Sequence, residues 1–239
     1  MNINSDINIL GSIANYDLII NYLRHGNNGF PSYTNIKTTQ SFGRYERAIN
    51  STLLKFKNTN LEVLLKNLLE KEGISINSLL LLFWNSSVNN DFLHYLNSKV
   101  FFPALYSGRI SIKKDEIIAC IRELRSTEIA IQKWTDSTIN VSASKYLSFL
   151  VKMKLMEGNR TKKISNRFID DNLLIIFVYW LLAIETKPNI LVSKWLQYCL
   201  MEKQVFIERI TQKKFSKYFT FQYSGDNMKI EPVLKFEEL

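Results

Sequence analysis

The sequence predicts a mainly α-helical fold that carries a winged helix-turn-helix module and ends in a β-hairpin. Apolar residues recur with helical spacing along most of the 239 residues, and glycine and proline, which end helices, number only 8 and 4. Residues 112–168 have the pattern of two short helices, one long helix and a basic hairpin. Near the C-terminus, two alternating apolar runs at 219–223 and 228–230 flank a Ser-Gly-Asp-Asn turn.

The balance of charge indicates a polyanionic partner. The chain has 31 basic and 22 acidic side chains, a net charge of +9, and a hydrophobic fraction of 46% that is typical of a globular protein. Nucleic acid is the first candidate for the partner and an acidic membrane surface the second. The basic residues cluster between 145 and 167, where Glu157 is the single acid. The cations of this stretch are Lys145, Lys152, Lys154, Arg160, Lys162, Lys163 and Arg167.

The helical pattern divides the chain into three predicted domains. They are an N-terminal helical domain (1–110), a winged-helix-like basic module (111–170) and C-terminal helices with the β-hairpin (171–239). Outside the module, helices are predicted at 13–24, 38–57, 61–71, 76–84, 89–101, 172–185, 190–201 and 204–215. The longest apolar run, 172–184, is too short for a bilayer, which needs about 20 residues, so we expect a buried core helix. With no signal-peptide pattern and two separate cysteines, a cytoplasmic protein is expected.

The long helix of the basic module has two contrasting faces. Its apolar stripe consists of Ile139, Ala143, Tyr146, Leu147, Leu150 and Met153. Its opposite face consists of Ser137, Asn140, Ser144, Lys145, Ser148 and Lys152. Short hydroxyl and amide side chains let a helix approach the groove of DNA closely, and they donate to phosphates or base edges. We expect Asp136 to cap the start of this helix and Gly158 to cap its end.

These patterns nominate residues for binding double-stranded DNA. Phosphates would be neutralised by Lys145, Lys152, Arg160, Lys162, Lys163 and Arg167. The residues nearest the groove floor would be Ser137, Thr138, Asn140 and Ser144. A secondary basic surface would be formed by Arg44, Arg47, Lys55 and Lys57. Two other interpretations stay open: the polar face is only solvated, or a winged-helix shape serves protein contact.

Motifs for catalysis, metal binding and cofactor binding are missing from the sequence. His25 and His94 form no metal-ligand pattern, and no phosphate-binding glycine loop or nucleophile motif occurs. We therefore predict no catalytic residues, no metal, no cofactor, no small-molecule substrate and no membrane partner.

Three stretches resemble one family. Residues 78–100, SLLLLFWNSSVNNDFLHYLNSKV, residues 135–158, TDSTINVSASKYLSFLVKMKLMEG, and residues 219–232, FTFQYSGDNMKIEP, are similar to the BrxA family of bacterial BREX (bacteriophage exclusion) operons. The similarity runs from about residue 10 to 232. It implies a non-enzymatic component of a phage-defence system, a helical fold with a likeness to the antitermination factor NusB, and DNA binding. It also implies two alternatives, which are a scaffold for other BREX proteins and RNA binding of the NusB type.

Overall fold

A computed structural model describes residues 3–13, 16, 19 and 39–239. The α-helices are α1 (Ile7–Leu10), α2 (Thr39–Ala48), α3 (Thr59–Glu72), α4 (Ile76–Asn89), α5 (Asp91–Leu96), α6 (Phe102–Tyr106), α7 (Lys114–Thr127), α8 (Asp136–Lys152), α9 (Asp171–Ile184) and α10 (Lys203–Ile210). The π-helical segments are Ile49–Leu53 and Asn97–Phe101. The 3₁₀ segments are Ile129–Ile131, Ile190–Val192, Leu196–Cys199, Lys213–Phe215 and Phe236–Glu238. The strands are β1 (Met156–Glu157), β2 (Lys163–Ile164), β3 (Phe219–Ser224) and β4 (Asn227–Pro232).

The chain forms two compact units. Unit 1 comprises Met1–Lys55 and Glu72–Asn166, and unit 2 comprises Phe56–Lys71 and Arg167–Leu239. Residues on both sides of position 110 therefore belong to one unit. The division into domains 1–110, 111–170 and 171–239 remains a prediction about sequence segments.

A pair of asparagines on α4 explains why the helix predicted at 38–57 ends early. Asn85 Nδ2 donates to the carbonyl oxygens of Leu53 (2.6 Å) and Lys55 (3.1 Å), and Asn89 Nδ2 donates to those of Thr52 (3.0 Å) and Lys55 (2.7 Å). The two side chains lie one helical turn apart, so they reach the same backbone segment. The carbonyls at the end of the π-helical segment are thereby satisfied, and the helix need not continue.

A buried polar bridge joins α4 and α8 inside unit 1. Asn97, in the second π-helical segment, is fully buried. Its Nδ2 donates to Ser87 Oγ at 3.0 Å, and its Oδ1 accepts from the hydroxyl of Tyr146 at 2.8 Å. The helix predicted at 89–101 begins at Asp91, because Asn90 caps α5 by accepting from the backbone N–H of Phe92, and the π-helical segment Asn97–Phe101 continues it.

Short strands flank α7 and α8. Ser111 pairs with Lys163, and the Ile164 N–H donates to the Ile110 carbonyl at 2.8 Å. After α7 come the 3₁₀ segment Ile129–Ile131, then α8, then the antiparallel pair β1–β2. The order is therefore bridge, helix, short 3₁₀ turn, long helix and two-stranded hairpin, all within unit 1.

Unit 2 is built around α9. Its residues Leu173–Leu181 and Ile184 are buried, which confirms the predicted core helix. Asp170 caps α9 by accepting from the Leu173 N–H at 2.7 Å. The Tyr179 ring packs against Phe219 of β3 (5.2 Å between centroids) and against Phe236 (5.1 Å). The described ranges contain no helix long and apolar enough to cross a membrane.

The mainly helical fold and the C-terminal hairpin are confirmed. Gly225, with φ of +58°, sits at the first turn position between β3 and β4. The helix predicted at 190–201 is wrong, because this stretch forms two 3₁₀ segments separated by Ser193, whose hydroxyl accepts from the Trp195 N–H. Most of the helix predicted at 13–24, and His25, lie outside the described residues. Cys120 and Cys199 are both buried free thiols, as predicted.

Candidate nucleic-acid interface

Helix α8 presents one apolar and one polar face. All six residues of its predicted apolar stripe are buried. Its N-cap is Thr135, whose hydroxyl accepts from the Thr138 N–H at 3.2 Å, so the prediction of Asp136 as the cap is wrong. The prediction of Gly158 as the C-cap is also wrong. Lys154, with φ of +59°, takes the left-handed conformation just after α8, and Gly158, with φ of +94°, follows β1.

The small polar side chains on the outer face of α8 donate to the helix itself. Asn140 Nδ2 donates to the Asp136 carbonyl at 2.9 Å, and the hydroxyls of Ser144 and Ser148 each donate to the carbonyl four residues earlier at 3.0 Å. Thr138 and Thr135 share a hydroxyl hydrogen bond of 3.0 Å. Ser137 is exposed. These bonds use the hydroxyl donors of Ser144 and Ser148 and one of the two amide N–H groups of Asn140, so the face offers an approaching ligand acceptor oxygens, the second Asn140 N–H and little steric bulk.

Helix α1 covers the C-terminal half of this face. Lys152 Nζ donates to the Gly11 carbonyl at 3.0 Å and to the Ile13 carbonyl. Burial, and then the like charge of Lys145, lower the pKa of the Lys152 ammonium. Gly11 lies so close to α8 that a Cβ there would be 2.2 Å from the Lys145 carbonyl oxygen. Lys152 therefore ties α1 to α8, whereas the half-exposed Lys145 ammonium makes no hydrogen bond or ion pair within the described residues.

The loop between β1 and β2, which we call the 158–162 loop, is exposed and basic. Arg160 and the side chain of Lys163 are exposed, and Lys162 is half-buried, with its Nζ donating to the Asn159 carbonyl at 3.2 Å. Gly158 holds the turn, since a Cβ there would be 2.3 Å from the Thr161 carbonyl oxygen. The turn thus brings three cations to one short hairpin beside α8.

The remaining predicted cations belong to other elements of the chain than this hairpin. Arg167 begins unit 2. Arg44 and Arg47 are exposed on α2, three residues apart and thus on one helix face. Lys55 and Lys57 are both exposed, but Lys55 belongs to unit 1 and Lys57 to unit 2. The four residues of the predicted secondary surface are therefore not all in one unit.

Three cations beyond those predicted from the sequence lie at the start of α8. Lys133 is exposed in the turn just before the helix. Arg122 and Arg125 of α7 both approach the Asp136 carboxylate, at 3.5 and 3.4 Å. They offset the negative charge that Asp136 places at the N-terminus of α8, where an incoming phosphate would otherwise be repelled. Lys133 could have been found in the sequence, because it lies within one turn before the long helix. The ion pair of Arg122 with Asp136 could be recognised only from the structure.

The described residues hold no group of three or more His, Cys, Asp or Glu side chains arranged to bind a metal ion. The candidate interface is built from cations, small polar side chains and helix N–H groups.

One family model matches the chain, and it is the model of the BrxA family, over residues 35–176. The matched region contains α2 to α8 and the hairpin β1–β2, and it extends into α9. No curated protein and no solved structure matches the chain.

Proposed function

The chain belongs to the BrxA family, which makes it a component of a BREX defence system, and from this premise we propose that it binds duplex DNA. In the proposal, residues 111–166 act as a winged helix-turn-helix. Helix α8 enters the major groove through its N-terminal half, and the 158–162 loop is the wing that contacts the phosphate backbone.

One observation carries the proposal: a solvent-exposed basic hairpin directly follows a helix with a polar outer face. The pairing of Ser111 with Lys163 supports the proposal further, because it adds a third strand segment to the hairpin, as winged helices do. The order of α7, the 3₁₀ segment, α8 and β1–β2 agrees with the same module.

The chemistry would be mainly electrostatic. Lys145, Arg160, Lys162 and Lys163 would neutralise phosphates, and the positive end of the α8 dipole would face the backbone. Ser137, Thr138, Asn140 and Ser144 would lie nearest the groove floor. Because the Ser144 hydroxyl and one of the two amide N–H groups of Asn140 donate within α8, few donors remain to read base edges, and sequence preference should be weak. We assign Lys152 to holding α1 against α8 instead of to binding DNA. A contribution of Arg167 and of the secondary basic residues to DNA binding remains a prediction from the sequence.

The test is a binding titration on duplex DNA by fluorescence anisotropy. The triple variant Arg160→Ala, Lys162→Ala, Lys163→Ala should bind roughly 500-fold more weakly at about 0.1 M salt, since each lost phosphate contact removes about 0.9 from the salt exponent. The matched control removes three exposed cations from unit 2, Lys187, Lys213 and Lys217. If both triple variants lose the same affinity, net charge explains the binding and the wing assignment is wrong.

A second candidate function is a scaffold for other BREX proteins. It is favoured by the outer edge of β3, where Phe221 and Tyr223 are 37% and 45% exposed and their outward backbone groups have no partner in the described part of the chain. Absence of DNA binding at low salt would favour this candidate, and tighter binding to RNA than to DNA would favour the NusB-type alternative. The family is generally considered non-catalytic, and we propose no enzymatic activity, cofactor or small-molecule substrate.

A further inference from the structure

One side chain on the outer face of α8 is apolar. Val141 is 44% exposed. Ser137 lies four residues before it and Ser144 three residues after it, so the valine stands between two small side chains on the same face. It belongs to the N-terminal half of the helix, whereas α1 packs at the level of Lys145 and Lys152.

Val141 is the exposed large apolar side chain of α8, and its polar neighbours on this half of the helix turn back to the backbone. Asn140 bends back to the Asp136 carbonyl, and Ser144 donates to the Asn140 carbonyl. Both polar side chains are therefore folded against the helix, while the Val141 side chain is exposed to solvent. A single exposed valine on a protein surface is ordinary. This one differs because it occupies the centre of the face that the proposed function places in the groove.

We infer that Val141 contacts the C5-methyl group of thymine in the major groove, and so gives the protein a preference for duplexes with methylated pyrimidines. The inference rests on the proposed function. The thymine methyl is the one apolar group that base pairs display in the major groove, and small apolar side chains recognise it by direct contact. Unmodified cytosine and uracil lack this methyl group. The protein would therefore distinguish thymine from uracil by the methyl group alone, because the two bases have the same hydrogen-bonding groups.

The test compares two duplexes that differ only in the methyl group, alternating dA–dT and alternating dA–dU. Thymine recurs at every second position of each strand, so each register of the helix on the first duplex presents a methyl. The wild-type protein should bind the uracil duplex about fourfold more weakly, as expected for burying one methyl group. The variant Val141→Ala keeps only the β-carbon of the side chain, so it should narrow the difference between the duplexes to less than about twofold.

The matched control is Val205→Ala. Val205 lies on α10 of unit 2 and is 42% exposed, so its removal costs a similar apolar surface without touching α8. This variant should keep the fourfold difference. Both alanine variants should fold, because each valine is exposed and alanine is the better helix former.

The possible results separate this inference from the proposed function. Equal binding of both duplexes by the wild type would overturn the role of Val141 and leave DNA binding intact. A fourfold difference that survives in Val141→Ala would also overturn it, since another group would then read the methyl. Failure of the wild type to bind either duplex at low salt would overturn the proposed function and the inference together.

Discussion

Replacing Gly158 by alanine should disrupt the 158–162 loop without changing the charge of the protein. Gly158 has a φ of +94°, and an added Cβ would be 2.3 Å from the Thr161 carbonyl oxygen. The left-handed conformation costs an L-residue about 1–2 kcal/mol. The contact is about 0.7 Å shorter than the 3.0 Å below which real Cβ atoms are essentially never found, and the clashing atom belongs to the backbone. Overpacking of this kind costs about 1–3 kcal/mol.

The matched control is Gly108→Ala. Gly108 has a φ of +70° but nothing within 4 Å of its added Cβ, so it carries the conformational cost without the clash. The difference in free energy of unfolding between the two variants, measured by urea denaturation, should therefore be about 1–3 kcal/mol. In DNA-binding titrations, Gly158→Ala should lose roughly tenfold in affinity, because its cations remain but are no longer held in one hairpin. Equal stability and equal DNA affinity of the two variants would refute this reasoning.

Three further predictions concern stability and are measured by urea denaturation. Gly11→Ala should lower the free energy of unfolding by about 1–3 kcal/mol, because its Cβ would meet the Lys145 carbonyl at 2.2 Å; an unchanged value would contradict the close packing of α1 on α8. Asn97→Ala should cost about 2–4 kcal/mol by leaving the buried Tyr146 hydroxyl without its acceptor; a cost below that of an exposed Asn→Ala control would contradict the bridge. The ion pairs of Asp171, with Lys214 first and Arg209 second, hold the pKa of its carboxyl below its ordinary value. The stabilisation, less than about 1 kcal/mol at this half-exposed site, is present above that ordinary pKa and is lost as pH falls through the lowered pKa. Asp171→Asn should therefore differ from wild type near neutral pH and converge with it in acid, and a constant difference would contradict the assignment.

Local patterns in the sequence were sufficient for α8, α9 and the C-terminal hairpin. The stripe of α8 is buried over its whole length, because a 3.6-residue period leaves one way to pack the helix. The turn between β3 and β4 was predictable because glycine takes the left-handed conformation without strain.

Contacts that the helical pattern does not show explain two predictions that were wrong or incomplete. The helix predicted at 38–57 stops where Asn85 and Asn89 bind its carbonyls from more than 30 residues away. The stretch 190–201 is apolar enough for an α-helix. It forms 3₁₀ turns instead, with Trp195 packed against Trp180 at 6.0 Å between ring centroids. Helical periodicity carries no information about either kind of contact.

The same limit applies to the candidate interface. The basic 158–162 loop was predictable from its composition. The engagement of Lys152 was not, because its acceptor carbonyls at Gly11 and Ile13 lie about 140 residues away in the chain. Likewise, the sequence indicates serines on α8 but not that their hydroxyls donate back to the helix.

The salt dependence of binding to duplex DNA tests the central claim most directly. With four cations on phosphates, the logarithm of the binding constant should fall against the logarithm of salt concentration with a slope of about −4. The triple variant Arg160→Ala, Lys162→Ala, Lys163→Ala should have a slope of about −1. A wild-type slope near zero, or the same slope in both proteins, would contradict the account.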